Sequence, residues 1–138
     1  MKSIYRINGP VVKARGDTDI AMQNVVLVGN EKLIGEVIGV DGEEITIQVY
    51  ESTSGLKPGE PVISTDKPLS VTLGPGIIGN IFDGIQRPLE DLYSQTGDFM
   101  ARGVDCNNLN MEKKWHFTPC AVEGDTVRAL SFLGEVPE

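Results

Sequence analysis

Apolar and polar residues alternate in short runs over the first 70 positions, and turn residues separate the runs. "IYRIN" and "PVVKAR" are β-branched or aromatic segments divided by Asn8-Gly9-Pro10, and "VVLVG" follows at 25–29. The strongest local pattern is "LIGEVIGVDGEEITIQVYE" at 33–51. There Ile45, Ile47 and Val49 alternate with Thr46 and Gln48, which buries one face of a strand. Asp41-Gly42 lies between the two runs and predicts a two-residue hairpin loop, with glycine supplying the positive φ that such a loop needs. Pro58-Gly59 marks the next turn, and "PVIST" and "LSVTL" predict two further strands. Turns spaced about 8 to 12 residues apart, with no helical period before residue 75, indicate a mainly β fold. Its first part, residues 1–72, is expected to be a small six-stranded-type β-barrel, because closure removes the edges that many short strands would leave exposed.

After Leu73 the turn spacing is lost. Pro75 suits the first position of a short helix running to about Phe82, with Gly74 as its cap, and Gly84 and Pro88 stop anything longer. Residues 73–92 therefore read as a junction, and 83–111 as irregular or loosely strand-like. Strand signals resume in "KWHFTPCAV", pause at Glu123-Gly124-Asp125 and continue in "TVRALSFLGEV". Residues 93–138 read as part of a second β-rich unit that stops abruptly at "GEVPE".

Composition narrows the function classes. The 138 residues are 40% hydrophobic, enough for a buried core in a soluble globular protein. The formal charge is −8, from 12 basic and 20 acidic residues, and the acid is spread over both halves. An acidic chain without a basic stripe is poorly suited to nucleic-acid backbones or anionic membranes. No apolar run reaches the roughly 18 residues of a membrane span, and no signal-peptide core is present, so a cytoplasmic protein is expected. Cys106 and Cys120 lack C-x-x-C spacing and read as reduced thiols, neither a disulfide framework nor a zinc site.

Gly74-Pro75-Gly76-Ile77-Ile78-Gly79 is a literal G-x-G-x-x-G. In a dinucleotide fold this pattern follows a buried strand, opens a long helix and donates backbone N–H groups to a pyrophosphate. Pro75 has no N–H to donate, and no acid-ended strand of a βαβ unit follows about 20 residues on. No glycine in the chain precedes a lysine, so a G-x-x-x-x-G-K-[ST] loop is also missing. His116 is the single histidine, which leaves no basis for a histidine metal cluster or a Ser-His-Asp triad; beside Trp115 and Phe117 it reads as a partly buried strand residue. Lys113-Lys114-Trp115 mixes base and aromatic as single-strand binders do, but as an isolated trio it reads as a strand edge. Glu43-Glu44 and Glu90-Asp91 are acidic pairs that could serve general acid–base chemistry, with solvated surface charge as the simpler reading. No catalytic, cofactor-binding or metal-binding residue is assigned.

The succession "NGPVVKARG", "GEVIGVDGEEITIQVYESTSGLKPGEPV", "KPLSVTLGPGIIGNIFDGIQRPL", "GDFMARGVD" and "EKKWHFTP" closely resembles the N-terminal part of the catalytic A subunit (alpha chain) of V-type and A-type rotary ATPases and ATP synthases. The resemblance runs from about residue 4 to the end. It implies that residues 1–72 are the barrel of that family, part of a crown in which barrels of neighbouring A and B subunits hold a hexameric ring. It also implies that residues 93–138 begin the A-subunit insertion, a β-rich bulge associated with the peripheral stalks. ATP or ADP and Mg²⁺ would be bound by a P-loop domain beyond this sequence, which is then a fragment of a longer, ion-translocating subunit peripheral to the membrane. The implied role is structural, without catalysis, direct membrane contact or nucleic acid, and the isolated fragment could self-associate through exposed apolar surface. Two other classes remain: a stand-alone all-β module for a small ligand or oligonucleotide, for which Tyr5 and Tyr50 lie on outer strands without a basic groove, and an enzyme in its own right.

Overall fold

The computed structural model describes residues 1–97, 102–104 and 106–138. The stretch "GDFMARGVD" falls partly outside them, at Asp98, Phe99, Met100, Ala101 and Asp105. The order of elements is β1 (Lys2–Asn8), β2 (Val11–Arg15), β3 (Asn24–Val28), β4 (Leu33–Asp41), β5 (Glu44–Val49), β6 (Pro61–Pro68), α1 (Leu89–Thr96), β7 (Thr118–Pro119) and β8 (Gly134–Glu135). Backbone proximity divides the chain into two units: Met1–Ser70 with Leu92–Asp105, and Val71–Asp91 with Cys106–Glu138. None of the described helices is long and apolar enough to cross a membrane.

The first unit is the expected barrel. Strands β1–β2–β5–β4–β3–β6 close into one antiparallel ring. Inward positions of every strand fill it: Ile4, Val12, Val26, Val28, Leu33, Val37, Ile45, Ile47 and Val62 are at most 2% exposed, the side-chain-packed interior expected of a barrel this small. Closure rests on a thin seam, with Lys2 opposite Val62 and Ser3 opposite Pro61. Bonds from Ile4 N–H to the Glu60 carbonyl (2.9 Å) and from Gly59 N–H to the Ile4 carbonyl (2.7 Å) lengthen that seam.

Three readings between residues 41 and 82 need correction. The β4–β5 loop is Gly42-Glu43, one residue later than expected, because Asp41 pairs with Glu44. Gly42 has φ 57° while Glu43 stays out of the left-handed region, which matches a hairpin turn with glycine in its first central position. "LSVTL" is not a strand: β6 ends at Pro68 opposite Asn24, the first residue of β3, so no backbone remains for Leu69–Leu73 to pair with. The helix expected over 75–82 is absent, because Gly76 and Gly79 adopt φ of 101° and 83° and break any right-handed turn.

The helix forms instead immediately after Pro88. Glu90 and Asp91 in its first turn suit the positive end of the helix dipole. Gly97, at φ 67°, ends it by donating its N–H to the Tyr93 carbonyl at 2.8 Å, a left-handed glycine cap. In the second unit, β7 and β8 pair over two residues each. "KWHFTPCAV" and "TVRALSFLGEV" are thus far less strand-like than their composition suggests. Pro119 removes one ladder donor, and most side chains from Met111 to Leu133 are exposed. His116 is exposed and outside any strand, not partly buried within one.

Candidate functional surfaces

The glycine-rich segment is a pair of tight turns. No strand leads into it and no helix starts from it. The Gly76 N–H donates to the Glu138 side-chain carboxylate, and the Asn80 side-chain amide donates to the Gly76 carbonyl at 2.6 Å. Beside these turns the second unit has a cleft of ≈ 240 Å³, lined by Pro75, Phe82, Glu90, Asn108, Lys113 and Trp115 among others. The Lys113 ammonium lies 4.0 Å from the centre of the Trp115 ring, so one of the two cations of the base–aromatic trio packs on the trio's own aromatic face. Glu90 and Asp91 are exposed at the start of α1. Among the described residues no group of three or more His, Cys, Asp or Glu is placed to hold a metal, and Cys106 and Cys120 form no disulfide.

The segment "FDGIQRPL" is built to hold its own shape. The Asp83 carboxylate accepts from the backbone N–H of Ile85 (3.0 Å) and of Arg87 (2.8 Å) and from the Arg87 Nε (2.7 Å). Partial burial pushes the Asp83 carboxyl upward, but these donors outweigh it and hold the carboxyl below its ordinary value. The Gln86 amide copies a strand partner: its Oε1 accepts from the Thr72 N–H and its Nε2 donates to the Thr72 carbonyl, both at 2.6 Å. Asn108 adds a third contact, donating to the Gln86 Oε1 at 3.3 Å. These four side chains are polar, yet each is spent on local architecture.

The barrel wall has two unlike faces. On β1, β2 and β5, Glu44 receives Lys13 at 2.6 Å and Arg15 at 2.9 Å, and the Arg15 guanidinium lies 4.1 Å from the centre of the Tyr5 ring. The hydrogen bond from Lys13, with Tyr5 and Arg15 adding to it, holds the Glu44 carboxyl at about 2. Lys13 and Arg15 are raised by the same contacts. Of the first acidic pair, then, Glu44 is an ion-paired wall residue and Glu43 an exposed loop residue. On β3, β4 and β6 the cross-strand partners Ile34, Leu27 and Ile63 form an outward apolar row. Tyr50 donates its hydroxyl to the Glu36 carboxylate, which raises the phenol above its ordinary value.

The two barrel ends also differ. At one end Lys2 is 2% exposed and donates to the carbonyls of Gly16 (2.7 Å) and Glu43 (2.6 Å). At the other end lie the β1–β2 turn, the β3–β4 turn and the long β5–β6 loop. Sequence reasoning missed the residue that joins the last two, Arg102. Its partners include backbone carbonyls, and those have no sequence signature.

The family model described as ATP synthase alpha/beta family, beta-barrel domain, matches residues 4–66. Over 135 residues, 98% of this chain, the sequence is 53% identical to the V-type ATP synthase alpha chain of Thermoanaerobacter sp., covering 23% of that protein. It is 53% identical over the same length to the A subunit of the A-type ATP synthase of Pyrococcus horikoshii, covering 14% of it. Among solved structures it is similar to the assembled ATPase EscN from the enteropathogenic E. coli type III secretion system. That match has a TM-score of 0.58 and 25% identity, over 64% of this chain and 21% of the other. The chain therefore spans less than a quarter of the length of these curated relatives.

Proposed function

We propose, on the premise that the chain belongs to the family of V-type and A-type ATP synthase A subunits (alpha chains), that its residues serve assembly and not catalysis. Residues 1–72 are the barrel that stands beside the barrels of neighbouring B subunits in the crown of a hexameric ring. Residues 73–92 are the junction to the nucleotide domain, and residues 93–138 begin the insertion that meets the peripheral-stalk subunits. The whole subunit couples ATP hydrolysis or synthesis to proton or sodium transport, on the cytoplasmic side and peripheral to the membrane. ATP or ADP and Mg²⁺ are held by a P-loop domain outside these residues.

The observation that carries this reading is the closed, fully packed barrel within a stretch 53% identical to those subunits over 98% of the chain. A closed barrel has no edge to pair with a neighbour, so barrels set side by side meet through wall side chains and loops, and each keeps its shape. That suits a rim that stays rigid while the domains attached to it open and close.

The test is an exchange. The 138-residue chain replaces the matching segment of the Thermoanaerobacter alpha chain, which is co-expressed with its own partner subunits, and native mass spectrometry reads ring assembly. Hexameric rings are expected, and persistent monomers of a folded chimera refute the assembly role. Titrated alone with millimolar ATP in a calorimeter, the 138-residue chain is expected to give no saturable heat. Saturable binding would overturn the assignment of the nucleotide site to another domain.

A further inference from the structure

We propose that Arg102 and Gly103 form a latch that fixes the conformation of one barrel end by binding the β3–β4 turn and the β5–β6 loop at once. The Arg102 guanidinium donates to the carbonyls of Ser54 and Ser52, the latter at 3.3 Å, and pairs with the Glu31 carboxylate at 3.2 Å. Ser52 and Ser54 belong to the β5–β6 loop and Glu31 to the β3–β4 turn, so one side chain spans two connections far apart in sequence. A planar fork of five donors suits such a bridge, whereas a lysine ammonium would have to choose among the acceptors.

Gly103 completes the latch. Its N–H donates to the Glu51 carboxylate at 3.2 Å. Its α-carbon has φ 65° and sits so close to the Glu31 backbone that a Cβ would overlap the Glu31 carbonyl oxygen. Both the left-handed conformation and the close approach select glycine here. Between the two clamped carbonyls, the Thr53 hydroxyl donates to the Gly9 carbonyl at 2.7 Å, which ties the same loop to the β1–β2 turn. All three connections at this end thus converge on residues 51–54, and Arg102-Gly103 is the part of the clamp contributed from outside the six strands. Arg102 and Gly103 accordingly belong to the same unit as the barrel strands.

The latch is a positioning device, so its test reads loop motion and not only stability. Amide hydrogen exchange is measured on the 138-residue chain, wild type and with Arg102→Ala, Arg102→Lys, Glu31→Gln or Gly103→Ala. With Arg102→Ala, exchange at Leu56 and Lys32, whose N–H groups close the two connections, is expected to speed about tenfold, the scale of losing charge-assisted bonds. Exchange at Ile45 and Ile47 in the barrel core stays unchanged. Arg102→Lys and Glu31→Gln are expected to give part of the effect, and 0.5 M salt to reproduce that of Glu31→Gln, since the exposed ion pair is screened. Gly103→Ala is expected to match Arg102→Ala although the guanidinium remains. Loop exchange unchanged in Arg102→Ala and Gly103→Ala would overturn the latch. So would equal acceleration of loop and core amides, which would mark a global loss of stability. If Arg102→Ala fails to fold, Glu31→Gln decides by the same comparison.

Discussion

Gly35 and Ile47 face each other inside the barrel, and the cost of filling one position should depend on the other. Gly35 is buried on β4 opposite Val49. Ile47, fully buried on β5, is flanked by Val12 on β2 and Val37 on β4. A Cβ added at Gly35 would lie 2.8 Å from the Ile47 Cγ2, 3.0 Å from the Gln48 carbonyl oxygen and 3.4 Å from the Val49 α-carbon. Gly35→Ala therefore overpacks the site and should cost about 1–3 kcal/mol. Ile47→Ala deletes the crowding methyl with the rest of the branched chain and leaves a cavity, at about 2–5 kcal/mol. In the double variant the new methyl enters space that Ile47 has vacated, and only the backbone crowding at Gln48 persists. The pair should then cost about 1 kcal/mol less than the two single changes added together, within the range for residues in contact. Ile47→Val is the control, because valine keeps both β-branches and so keeps the clash. Urea unfolding followed by far-UV circular dichroism measures each stability, with the amide signals of Val12 and Val37 reporting the barrel specifically. If Gly35→Ala costs the same in the Ile47→Ala background as in the wild type, to within about 0.5 kcal/mol, the packing argument is wrong.

The other predictions concern the polar groups. The Glu44 carboxyl, normally near 4.5 and held at about 2 in the folded chain, stabilises the fold above pH 4.5, and that contribution is lost as pH falls from 4.5 to about 2. Glu44→Gln should flatten stability against pH in that window, and a carbon-detected NMR titration of Glu44 with its midpoint near 4.5 would refute the assignment. Asp83→Ala removes the acceptor of two backbone N–H groups and of the Arg87 Nε. It should cost about 1–3 kcal/mol, visible as an earlier loss of structure around the single tryptophan, Trp115, and an unshifted Trp115 fluorescence transition would count against it. Gln86→Ala should disturb the Thr72 amide signal more than Gln86→Glu, which keeps the Oε1 acceptor used by the Thr72 N–H.

The barrel could be read from sequence because its cause is local and periodic. Alternation at Ile45, Ile47 and Val49 is the side-chain period of a strand, and the turn residues mark where each strand must reverse. Two of the errors fall where a second segment decides the outcome. Asp41 looks like a loop residue, but pairing with Glu44 draws it into the ladder. "LSVTL" has strand composition, yet a strand needs a partner, and β3 begins only at Asn24. Pro75 and Pro88 offer the same local signal for starting a helix. The residues after each proline decide between them: Gly76 and Gly79 in left-handed turns after Pro75, against a helix-compatible "LEDLYSQT" after Pro88.

The candidate surfaces were less legible, for a different reason. In sequence a carboxylate or guanidinium advertises possible chemistry, and nothing in the one-dimensional pattern says whether backbone groups have claimed it. Asp83, Gln86 and Arg102 all resemble functional residues by type. In the fold each has its polar capacity turned toward main chain: Asp83 toward the N–H groups of Ile85 and Arg87, Gln86 toward both groups of Thr72, Arg102 toward the carbonyls of Ser52 and Ser54. A catalytic group needs spare capacity for a substrate. Side chains that close loops onto themselves use that capacity to hold the backbone, and a loop held this way keeps its geometry only while each bond is made. Polar residues of that kind hold a fixed shape, the property that the proposed assembly role requires.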